Sequence, residues 1–89
     1  MFRHFNILIF GNVQAVGFRQ AAKEKAEGLS ILGFVKNLND GSVYIEAEGS
    51  GDNLEKFIKW CKRGPFFARV KRVEVALGDC SKYEDFSIL

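Results

Sequence analysis

The chain has a single histidine, His4, and two cysteines, Cys61 and Cys80, far apart and in no CxxC arrangement. That argues against a zinc site built from Cys and His. The apolar run in the opening MFRHFNILIF is too short to cross a bilayer. No small-residue cleavage site follows it, so a secretory signal is not expected either. A cytoplasmic protein with reduced thiols and no membrane partner is the expectation. Neither sign of charge dominates: 13 Lys and Arg stand against 11 Asp and Glu, a net charge of +2. So small an excess does not call for nucleic acid as a partner, and it accommodates an anionic small molecule as readily. Repeats, linkers and low-complexity segments are lacking. With 89 residues, one domain spanning 1–89 is expected.

What is present suits a packed core. Apolar residues make up 47%, including nine Phe. Phe5, Ile7 and Ile9 alternate with His4, Asn6 and Leu8 and predict a strand that Gly11 ends. From Phe18 the period changes. Phe18, Ala22, Ala26 and Leu29 recur at helical spacing, opposite Lys23, Glu24, Lys25 and Glu27. Gly28 or Ser30 would close this helix. ILGFVKNL and SVYIEAEG flank the turn signal Asn39-Asp40-Gly41 and predict a hairpin. Ser50 or Asp52 then caps a second helix whose stripe is Leu54, Phe57, Ile58 and Cys61, stopped by Gly64-Pro65. RVKRVEVAL predicts a further strand, with Val73, Val75 and Leu77 alternating, and YEDFSIL is the candidate for a short fifth C-terminal strand. The order βαββαβ, with two helices of one-sided apolarity, fits an α+β ferredoxin-like α/β sandwich with an antiparallel sheet. That arrangement serves many functions, so it does not by itself assign one.

Two stretches carry chemistry. In GNVQAVGFRQAA, residues 11–22, a glycine-containing loop runs into a helix start. Backbone N–H groups there lack intrahelical partners and carry partial positive charge. Successive N–H groups in such a loop converge into an anion-binding nest, and Arg19 adds a fork of donors matched to phosphate or carboxylate. A cation at a helix N-terminus makes sense if an anion shares the spot. On spacing alone the commoner meaning is a strand-to-helix turn with a solvated arginine. In GFVKNLNDGSV, Asn37 sits among apolar residues near a strand end. It either points into a site or satisfies the neighbouring turn. Lone His4 is expected to be structural or solvated, and Glu46 with Glu48 is not expected to form a catalytic pair.

Together these stretches resemble the acylphosphatase family. The pattern G-x-V-Q-G-V-G-F-R stands here as Gly11-Asn12-Val13-Gln14-Ala15-Val16-Gly17-Phe18-Arg19. A second pattern matches Gly33-Phe34-Val35-Lys36-Asn37 and Asp40-Gly41-Ser42-Val43. Glu48-Gly49, Gly64-Pro65, Ala68, Val70, Val73, Glu74 and Val75 also fit. The resemblance covers nearly the whole chain. It implies hydrolysis of an acyl phosphate to a carboxylate and inorganic phosphate, without metal or cofactor, with phosphate as product and inhibitor. It implies that Arg19 and the backbone of Ala15, Val16, Gly17, Phe18 and Arg19 bind the phosphoryl group, and that Asn37 orients the attacking water. A monomer is expected. The other function to weigh is a non-catalytic ferredoxin-like module that binds an anion or RNA, although SVYIEAEG lacks the usual RNA-binding strand motif. Ala15 and Ser30 stand where the family usually has Gly. A positive φ at either position would strain it by about 1–2 kcal/mol. Phe66-Phe67 follows Pro65, to pack beneath the loop or to form an exposed patch.

Overall fold

The computed structural model describes residues 1–89. In chain order the elements are β1 (Phe2–Asn12), α1 (Phe18–Gly28), β2 (Leu32–Asn37), β3 (Val43–Ser50), α2 (Gly51–Arg63), β4 (Arg69–Gly78) and β5 (Phe86–Ile88). The strands form one sheet in the order β4-β1-β3-β2-β5. The first four pair antiparallel, and β5 adds to β2 in parallel, so the sheet is mixed. Both helices cover one face: α1 packs over β2 and β5, α2 over β1, β3 and β4. The arrangement is the ferredoxin-like α+β sandwich, extended by one strand.

Alternation places Ile7, Ile9, Val35, Val43, Ile45 and Ala47 on the helix-facing side of the sheet, where all are buried. Ala22 and Ala26 of α1 and Leu54, Phe57 and Cys61 of α2 close the core from above. Ser50 caps α2 by accepting a hydrogen bond from the Asn53 N–H, and Gly64 ends it. Two features depart from the sequence expectation. Gly11 does not end β1: a bulge between Phe10 and Gly11 lets the strand continue to Asn12, paired with Arg69. Val75 and Leu77 alternate as expected but are 41% and 70% exposed, because β4 is an edge strand that α2 only partly covers.

The end of α1 explains a residue that stands out in the sequence. The Ile31 N–H donates to the Ala26 carbonyl and the Ser30 N–H to the Glu27 carbonyl, the paired bonds of a Schellman ending. That motif needs a left-handed residue, and Ser30 supplies it at φ 55°. A Cβ there is strained, so Ser30→Gly should raise unfolding stability by about 1 kcal/mol. Urea denaturation measures the gain, and turnover should stay unchanged because Ser30 lies at the far end of α1 from the depression described next.

Candidate active site

Between β1 and α1 the chain makes a short loop with two left-handed residues, Ala15 at φ 60° and Gly17 at φ 79°. Left-handed residues flanking Val16 turn successive amides toward one point, the geometry of a nest. Gly17 is the N-cap of α1 and brings no side chain to its donors. The first helical bond in α1 runs from the Ala21 N–H to the Gly17 carbonyl. Backbone N–H groups of residues 15–20 therefore donate to no protein acceptor. Arg19, in the first turn, is exposed and pairs with no Asp or Glu side chain. Its Nη1 donates to the Leu89 main-chain oxygen at 3.4 Å. Buried Phe18 anchors the helix start, with its ring 5.3 Å from that of Trp60.

These groups edge a depression of about 290 Å³. Ala15, Gly17, Phe18 and Arg19 line one side, and Asn37 and Ile88 are also on its wall. Asn37 is the last residue of β2, brought there by pairing with Val43. Its Oδ1 is buried and has no hydrogen-bond partner in the protein. A buried acceptor without a donor is uncommon and calls for a ligand or water. The site thus sets a run of free donors and a guanidinium beside one orphaned acceptor.

Of the residues singled out in the sequence, Ala15, Gly17, Phe18, Arg19 and Asn37 meet in this depression. The Val16 side chain instead packs against the core. Sequence reasoning missed two contributors. Gln14 donates from Nε2 to the carbonyls of Leu38 (2.8 Å) and Ser42 (2.9 Å), which ties the loop to the β2–β3 turn. An amide within the apolar run Val13–Val16 was the available signal. Ile88 reaches the wall only because β5 adds to β2, which nothing local announces. Phe66 and Phe67 do not tuck beneath the loop: they are 88% and 70% exposed and stack edge-on at 5.1 Å. His4 and Glu48 are buried together well away from the depression. No group of three or more His, Cys, Asp or Glu side chains is gathered closely enough to hold a metal ion.

The acylphosphatase family profile matches residues 5–88. An acylphosphatase of Archaeoglobus fulgidus is 46% identical over 82 residues, covering 92% of each chain. One from Ligilactobacillus salivarius is 41% identical over 88 residues, covering 97% of each. The crystal structure of acylphosphatase from Bacillus subtilis superposes with a TM-score of 0.95 at 34% identity, over 100% of this chain and 99% of that one.

Proposed function

The chain belongs to the acylphosphatase family, and from that premise we propose how its residues carry out acyl-phosphate hydrolysis. The phosphoryl group sits in the depression, held by the free amides of the 15–19 loop and by the Arg19 guanidinium. Asn37 orients the attacking water through its side-chain amide. The water oxygen bonds to phosphorus while the bond from phosphorus to the acyl oxygen breaks. A carboxylate leaves with the electron pair, and both water protons end on inorganic phosphate. The leaving group is already a good one, so no strong general acid is required. Catalysis then consists of aligning the water and stabilising charge on the phosphoryl oxygens. Amides fixed in place before the reaction do this without reorganising.

The orphaned Asn37 acceptor supports this reading, since Asn37 lines the same depression as Arg19 and the 15–19 loop. Asn is a weak base, so its part is orientation. Asn37→Ala should lower turnover by roughly 10²-fold, as loss of one oriented polar group does elsewhere. Inhibition by inorganic phosphate should change little, because the donors to the anion remain. Hydrolysis of a synthetic acyl phosphate with excess chelator, with and without added phosphate, measures both. Wild-type turnover in Asn37→Ala rejects the role, and strict metal dependence rejects the metal-free scheme.

The same reading extends to setting. Residues 1–89 act as one acylphosphatase unit, a monomer working on small acyl phosphates in the cytoplasm without nucleic acid or membrane partners. No helix is long and apolar enough to cross a membrane.

A further inference from the structure

On the sheet face that the helices leave open, a buried carboxylate holds down the segment leading to β5. Glu48 lies on β3 beside His4 of β1, and both are essentially inaccessible to solvent. The Glu48 carboxylate is 2.7 Å from His4 Nδ1. It also accepts from the backbone N–H groups of Ser81, Lys82 (3.0 Å) and Tyr83 (3.4 Å). Those three residues belong to the irregular strap of residues 79–85, which joins β4 at one edge of the sheet to β5 at the other. The Tyr83 hydroxyl donates to Glu46 Oε1 at 2.6 Å, and its ring lies 5.8 Å from Phe34 and 6.2 Å from His4.

The strap ends where the active-site wall begins. The Gly33 N–H donates to the Asp85 carbonyl (2.8 Å), and the Leu89 N–H to the Val35 carbonyl (2.9 Å). These bonds fix β5 beside β2. Phe86 is buried in the core, and Lys23 of α1 donates to its carbonyl at 2.8 Å. Two residues on, Ile88 lines the depression, and the Leu89 oxygen receives the Arg19 guanidinium. A three-residue edge strand has few bonds of its own with which to hold this position.

We propose that Glu48 is a positioning residue: by clamping the 79–85 strap it fixes β5, and with it the Ile88 wall and the resting place of Arg19. The proposal rests on the acylphosphatase reading above. Glu48 lies about 17 Å along β3 from the Val43 end that pairs with Asn37, so it touches no reacting atom.

Glu48 belongs to a cluster in which His4 from β1 also meets Asn6 and Glu46, and Glu46 in turn accepts from the hydroxyls of Tyr44 on β3 and Tyr83 in the strap. Burial by itself opposes ionisation of Glu48, but His4 and the strap amides outweigh it and lower its pKa. Burial likewise opposes the charged form of His4, while Glu48, Asn6 and Glu46 outweigh it and raise its pKa. The sign of each contribution follows. That of Glu48 is lost as pH falls through its lowered carboxyl value. That of His4 is complete below its ordinary 6.5 and lost as pH rises through its raised value. The clamp is tightest between the two.

Glu48→Gln keeps the shape but replaces one of the two acceptor oxygens with an NH2 donor, so one set of its present partners loses its acceptor. Hydrogen exchange at the Gly33 and Leu89 amides should quicken by about tenfold, while the Ile45 amide in the sheet centre stays protected. Inhibition by inorganic phosphate and KM for a synthetic acyl phosphate should weaken roughly three- to tenfold, with kcat less affected. The thermal midpoint should also depend less on pH across the imidazole range, since Asn6 and Glu46 still favour charged His4. Tyr83→Phe removes only the strap's bond to Glu46 and should move these quantities less; Glu48→Asp, which keeps the charge but draws it back from the strap amides, carries the test if Glu48→Gln does not fold. Unchanged exchange at Gly33 and Leu89 overturns the proposal, as does faster exchange with unaltered KM and phosphate inhibition. A wild type indifferent to acyl phosphate and to phosphate would sink the acylphosphatase reading instead, and exchange at the two amides would still decide whether Glu48 holds β5.

Discussion

Arg19→Ala should cut kcat/KM for an acyl phosphate by about 10²–10³-fold, the scale of a lost preorganised donor at a developing charge. Inhibition by inorganic phosphate should weaken with it, because the proposed scheme gives the same guanidinium to substrate and product. The loss should be purely functional. Arg19 is exposed, pairs with no Asp or Glu side chain and makes one long bond to the Leu89 oxygen. Its removal should therefore leave stability within about 0.5 kcal/mol. Arg19→Lys should not restore activity, since an ammonium lacks the planar fork that spans two phosphoryl oxygens. Turnover assays beside urea denaturation separate the two effects. Normal turnover with normal stability would remove Arg19 from the site.

Gly33→Ala should act in the opposite way, through the fold. Gly33 lies in β2 between β3 and β5, with φ 141°, a conformation L side chains rarely adopt. A Cβ there would come far inside van der Waals contact with the Glu46 carbonyl oxygen on the neighbouring strand. The obstacle is backbone, so no side-chain rotation relieves it. β2 would have to move away from β3, carrying Asn37 at one end and straining the bond from Gly33 to Asp85 at the other edge. We expect a loss of about 3–5 kcal/mol, among the larger single-residue effects. A domain of this kind has only about 5–15 kcal/mol to lose. The urea midpoint should drop accordingly, and a variant as stable as wild type would show that the close strand approach at Gly33 is absent.

Legibility in the sequence followed range. The β2–β3 hairpin, the Ser50 cap, the α2 stripe and the stop at Gly64-Pro65 are set by neighbours within a few residues, and all stand in the structure. Arg19 and Asn37 were legible as a pair only through two motifs in register, and the fold then places both on one depression. What stayed hidden depends on partners distant in the chain. Glycine ordinarily ends a strand, but at Gly11 pairing with β4 carries β1 onward through a bulge. Alternation marks Val75 and Leu77 as inward-facing and cannot say that their strand lies at an edge. Ile88 enters the depression through a parallel pairing, and His4 meets Glu48 across two strands. Ala15 and Ser30 lie between these cases. Backbone chirality made the strain foreseeable only once a positive φ was assumed, and both residues adopt one.

The strand order also bears on how the molecule assembles. β1 is synthesised before its partners, yet it lies inside the sheet, and its neighbours β3 and β4 begin only at Val43 and Arg69. Its ladders must wait for contacts of long sequence separation, the kind that slows folding relative to local helical topologies. Until then the apolar side of β1 has no cover, a window in which a chaperone or another nascent chain competes for it. The depression at its far end is complete only when β5, the last element in chain order, brings Ile88 to the wall.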